Sequence, residues 1–112
     1  MTDLEVKKRA YIDYKQLERK LLRKFGMNYI DIKQVYDYIN NMSKYNKSIN
    51  FTNVDLKEGY FDFNYNDMCL TISKYNEREV YLLSDSIELW NNESLIGNIG
   101  FEELEKEVLS YV

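Results

Sequence analysis

The chain has no proline, no histidine, one cysteine and four glycines in 112 residues. The missing histidine removes the side chain that titrates near neutral pH, and with it the usual general base and the commonest transition-metal ligand. The single cysteine, Cys69, excludes an internal disulfide and fits a reducing compartment. It also has no histidine to generate a thiolate, so a structural thiol is expected rather than a nucleophile. The glycines at 26, 59, 97 and 100 are spaced like turns and form no phosphate-cradling loop. No apolar run approaches the roughly 18 residues of a membrane span. The opening stretch, MTDLEVKKRAYIDYK, has no uninterrupted apolar segment, so no signal peptide is expected and a cytoplasmic setting is. These absences together predict a protein that is not an enzyme and carries no cofactor and no metal.

What is present is a globular composition, 45% hydrophobic and 30% charged, with 11 tyrosines. Its length suits one domain, residues 1–112. The organising stretch is YFDFNYNDMCLTISKYNEREVYLL, from Tyr60 to Leu83. Phe61, Phe63 and Tyr65 fall on one face of an extended chain, and Asp62, Asn64 and Asn66 on the other. Met68, Leu70 and Ile72 then alternate with Cys69, Thr71 and Ser73. Period-two alternation of this length predicts half-buried strands.

The flanks read differently. Ala10, Tyr14, Leu17, Leu21 and Phe25 recur at three and four residues, which predicts a helix over 3–25, with Thr2 or Asp3 as its cap and Gly26 as its stop. Ile32, Val35, Tyr36, Ile39 and Met42 predict a second helix over 29–46, capped by Asn28. A recognition helix would need basic and amide-rich first turns, which this one lacks. Strands are expected over 49–56, 60–65, 68–74, 79–83 and 87–90, joined by short turns at Asn66-Asp67, Asn76-Glu77 and Asn91-Asn92. Residues 95–100 read as loop, and Phe101, Leu104, Val108 and Val112 predict a terminal helix over 101–112. The fold class expected is α+β: two N-terminal helices, an antiparallel four- or five-stranded meander, and a C-terminal helix.

Charge is unevenly spread. The net is +4 over residues 1–26, +1 over 27–52 and −9 over 53–112. The basic excess lies on the first helix at Lys8, Arg9, Lys15, Arg19, Lys20, Arg23 and Lys24. The carboxylates of the acidic half lie on strands and turns, interleaved with Tyr60, Tyr65, Tyr75, Tyr81 and Trp90. Asp62-Phe-Asn64-Tyr-Asn66-Asp67 begins like a calcium loop, but Asp67 stands where glycine is needed and Ser73 where a bidentate Glu is needed. A strand with an alternating polar face is the better reading. Rigidly held carboxylates can imitate nucleic-acid phosphates and meet Lys or Arg of a basic protein by charge-assisted bonds. Tyrosines are preferred anchors of protein interfaces. The candidate partner-binding residues are Asp62, Asp67, Glu77, Glu79, Asp85, Tyr65, Tyr75 and Tyr81.

In its small size, its acidity, its α+β pattern and its Tyr, Asn, Lys and Ile bias, the chain resembles phage-encoded inhibitors of bacterial defence of the anti-CRISPR kind. The resemblance rests on overall type and on Tyr60 to Trp90. It implies a basic nucleic-acid-binding partner such as a CRISPR effector, with the inhibitor occupying a nucleic-acid-guided nuclease at its nucleic-acid site. No direct nucleic acid and no membrane contact are then expected. The alternatives are an immunity protein or antitoxin that neutralises a basic toxin, or a nucleic-acid-binding accessory protein using the basic first helix. That helix also leaves room for self-association as a homodimer.

Overall fold

Thr2 starts the first helix because its backbone is extended and its hydroxyl accepts the Glu5 amide at 3.2 Å, filling one of the orphan donors of a helix start. The computed structural model describes residues 2–26, 31–76, 79–82 and 87–110, with the side chains of 75–82 outside that description. Helix α1 (Asp3–Phe25) ends at Gly26, whose φ of 76° suits glycine and whose N–H donates to the Leu22 carbonyl at 2.8 Å. Helix α2 (Ile32–Ser43) is capped by Asp31, whose carboxylate accepts the Lys33 amide at 2.9 Å. The expected cap, Asn28, lies outside the described residues. At its other end α2 stops short of residue 46. Asn46 turns its side-chain oxygen onto the Ser48 amide at 2.9 Å, a local bond that competes with continued helix.

Six strands follow: β1 (Ile49–Asp55), β2 (Tyr60–Tyr65), β3 (Met68–Asn76), β4 (Glu79–Leu82), β5 (Ile87–Asn91) and β6 (Ser94–Ile99). All described pairings are antiparallel. Both β4 and β5 run along the same edge of β3, β4 beside its end and β5 beside its start. Ile72 faces Leu82 and Cys69 faces Glu88, so the returning chain carries three more residues between these pairs than β3 does. The sheet is therefore a meander of five lanes whose fourth is broken into two strands. The expected meander is present. The segment read as loop, residues 95–100, is instead largely the sixth strand, which pairs with β5 from Ile87↔Ile99 to Asn91↔Ser94.

Two hairpins use the same turn chemistry. The pairs Tyr65↔Met68 and Asn91↔Ser94 leave the two-residue loops Asn66-Asp67 and Asn92-Glu93. Both asparagines are left-handed, φ 55° at Asn66 and 57° at Asn92, which asparagine tolerates better than most residues.

The alternation of the strands selects one face for the core. Ile49, Phe61, Phe63, Tyr65, Met68, Leu70, Ile72, Ile87 and Leu89 are buried in one cluster with Ala10, Tyr14 and Leu17 of α1 and Ile32, Val35 and Ile39 of α2. Helix α3 (Phe101–Leu109) adds Leu104 and Val108. All three helices thus cover the same sheet face. Rings knit the layers: Tyr36 of α2 meets Phe51 and Phe61 at 4.7 and 5.6 Å, and Tyr14 of α1 meets Phe101 of α3 at 4.3 Å.

Candidate functional site

The other sheet face carries no helix. Paired residues in an antiparallel sheet share a face, so the register assigns its side chains. One row crosses the sheet through Asn50, Asn64, Cys69, Glu88 and Asn98. A second runs Asn53, Asp62, Thr71, and a third Asp55, Tyr60, Ser73. Beyond the first row, Trp90 pairs with Leu95, which is 49% exposed. The outer face presents amides, hydroxyls and the carboxylates of Asp55, Asp62 and Glu88. No Lys or Arg occupies these described outward positions.

Cross-strand bonds stiffen this face. The Thr71 hydroxyl donates to Asp62 Oδ1 at 2.6 Å. The Cys69 thiol donates to Asn64 Oδ1 at 2.9 Å. Burial pushes the Cys69 thiol pKa up, and the neighbouring Glu88 carboxylate pushes it further, outweighing the downward pull of the Trp90 indole. The Trp90 N–H is buried without a well-formed hydrogen bond to any described group. A protonated, internally bonded thiol is a poor nucleophile. Among the described residues, no three His, Cys, Asp or Glu side chains are grouped as a metal site requires.

The sequence-selected residues scatter. Asp62 stands in the middle of the outer face, half-buried and accepting from Thr71. Tyr65 does not belong to it. Only 5% exposed, Tyr65 is a core residue beside Phe63, and burial together with the nearby Asp13 charge raises its pKa. Its ring cannot meet a partner, because even numbered steps from Phe61 and Phe63 carry it to the inner face. Asp67, its side chain 27% exposed, lies off that face as well. It lies in the β2–β3 turn, where Arg9 Nη1 approaches its Oδ2 at 3.1 Å and offsets its charge. Glu77 and Asp85 lie outside the described residues. Glu79 begins β4, Tyr81 pairs with Ser73, and Tyr75 lies in β3; their side chains are outside the description too.

Glu88 and Trp90 belong to the outer face and were not among the selected residues. The register that places them could be anticipated only with knowledge of the broken fourth lane. The amides Asn50, Asn64 and Asn98 complete the first outer row, Asn98 from the segment that the sequence reads as loop.

The basic helix is also partly answered from within. Lys7 Nζ meets Glu107 Oε1 of α3 at 2.7 Å, and Lys15 Nζ lies 4.9 Å from the Phe101 ring centroid and 3.8 Å from Glu18. Part of the charge asymmetry read from sequence therefore binds α1 to α3 and to the β2–β3 turn.

The chain matches no protein-family model, no curated protein and no solved structure. Among the described residues, no helix is long and apolar enough to cross a membrane.

Proposed function

We propose that this protein binds a basic protein surface through the outer face of its sheet, and that it acts as an inhibitor of a nucleic-acid-guided nuclease in the bacterial cytoplasm. One observation carries the reading: the face that no helix covers holds Asp55, Asp62 and Glu88 at outward register positions, with no described cation among them. Carboxylates fixed on a sheet are preorganised, so little side-chain entropy is lost when a guanidinium or ammonium arrives. Trp90 and Leu95, opposite one another on β5 and β6, place an aromatic and an aliphatic group at the end of the acidic rows. Such a pair can supply desolvated apolar contact, while the charges on one side of it set orientation and on-rate. Phage-encoded inhibitors of the anti-CRISPR kind are the functional class this reading extends to. It rests on charge, shape and type of chain.

The test is a pull-down from the host lysate, with the partner identified by mass, followed by titration of that partner with wild type and with the Asp62→Asn/Glu88→Gln double variant. Loss of two interfacial charge contacts should weaken binding tenfold or more, at about 1.4 kcal/mol per decade, and relieve inhibition of the nuclease in step. Unchanged affinity in a variant that melts like wild type would move the site off the outer face.

A further inference from the structure

Apart from the half-buried Lys8, the cations of helix α1 fall into two groups that the sequence does not distinguish. Lys7, Arg9 and Lys15 are engaged by Glu107, Asp67 and Glu18, all inside the fold. Arg19, Lys20, Arg23 and Lys24 are exposed and make no ion pair with any described residue. No carboxylate occurs on the helix after Glu18. The two i,i+4 pairs, Arg19 with Arg23 and Lys20 with Lys24, lie as parallel rows whose neighbours stand about 5–6 Å apart at Cβ. The result is a grid of four exposed cations on the last turns of a long helix: Arg19 and Arg23 stand away from the buried stripe Val6, Ala10, Tyr14 and Leu17, while Lys20 and Lys24, one and two turns beyond Leu17, stand along its flank.

We infer that this grid is a docking surface for the phosphate backbone of duplex nucleic acid. A repeating row of phosphates can satisfy several regularly spaced cations at once, and two of the four are arginines, whose planar fork accepts phosphate oxygens in pairs. An anionic membrane would fit less well. Leu22 is the exposed apolar side chain among these turns, too little apolar surface to enter a bilayer boundary. The inference departs from the expectation that the chain makes no direct nucleic-acid contact, and it is independent of the protein-binding reading. Since α1 covers the inner sheet face, the grid and the acidic outer face lie on opposite sides of the sheet. The overall charge of −4 opposes long-range attraction to any polyanion, so binding must come from the local grid and must be weak at physiological salt.

The experiment is fluorescence anisotropy of a labelled 20-base-pair duplex against the full chain from 25 to 200 mM salt. Four phosphate contacts predict a slope of about −3 to −4 in log K against log salt. The Arg23→Glu/Lys24→Glu variant should lower the slope magnitude by about 2 and weaken low-salt binding by at least about tenfold. Lys57→Glu, in the exposed β1–β2 turn, should leave both unchanged. Thermal melting of each variant separates a lost surface from a lost fold, and Arg19→Gln/Lys20→Gln repeats the measurement if the first variant does not fold. Absence of binding at 25 mM salt would overturn the inference. So would binding that the folded variants retain in full, or binding to anionic vesicles with none to duplex.

Discussion

Tyr14 is 4% exposed, packed against Phe101 of α3. Burial is the main cause that raises its pKa from the usual 10.0, and the Glu18 carboxylate adds to it. Tyr65 is raised the same way, by burial first and Asp13 second. Both hydroxyls stay protonated in the fold at pH values where the unfolded chain ionises. Their contribution is fully present below pH 10 and is lost as pH rises through the raised folded values, because the unfolded state then binds fewer protons. The urea midpoint should therefore decline above about pH 10 through these groups, and Tyr14→Phe, with no proton to lose, should show a shallower decline over that range. A steeper or equal decline in the variant would mean that Tyr14 is not the group responsible. Leu17 and Leu104 are fully buried, and truncating either to Ala should cost about 2–5 kcal/mol in urea unfolding. Leu21, half-buried at the rim of the same cluster, should cost less.

At the scale of elements, periodicity made most of the fold legible. The start of α1 at Thr2 and its stop at Gly26 followed from cap chemistry that needs only local sequence. The strands through Tyr60 to Asn76 followed from clean alternation. Two things were not legible. The sixth strand, SLIGNI, has a glycine and a bulge that break its alternation, and its pairing with β5 is tertiary. Tyr65 and Asp67 stand off the outer face for a related reason. Tyr65 was placed among partner contacts by residue type, although the alternation already set it with Phe61 and Phe63. Asp67 was answered by Arg9, 58 positions away in sequence, which no local pattern shows. The edge strands β1 and β6 carry register shifts, between Phe51 and Asn53 in β1 and opposite Leu89 and Trp90 in β6. Bulges at edges interrupt the row of donors and acceptors that another strand would need. Between α1 and α3 the Lys7–Glu107 pair is half-exposed on the acid side, so it contributes little. A double-mutant cycle with Ala at both positions should give a coupling of about 0.2–1 kcal/mol, shrinking as salt is added. A coupling of several kcal/mol would show that the pair is shielded from solvent.

At the scale of the whole molecule, the question is what the separation of charge is for. If opposite charges on α1 and the C-terminal half chiefly held the fold together, stability would depend on salt. The geometry argues otherwise. Three described ion pairs, all at least partly exposed, can contribute only about 0–1 kcal/mol each. The core that carries the fold is apolar, with no buried charged side chain among the described residues. Most of the remaining charge, on the outer sheet face, on the first turn of α3 at Glu102 and Glu103, and at the end of α1, faces outward. Raising salt from 0.1 to 1 M shortens the Debye length from about 10 to about 3 Å and suppresses interactions between exposed charges. Over that range the unfolding free energy should change by less than about 2 kcal/mol, while association with a basic partner should slow by tenfold or more. Stopped-flow association and urea unfolding in the same buffers measure the two together. A stability that collapses with salt while association stays constant would assign the charges to folding and remove the electrostatic basis for partner binding.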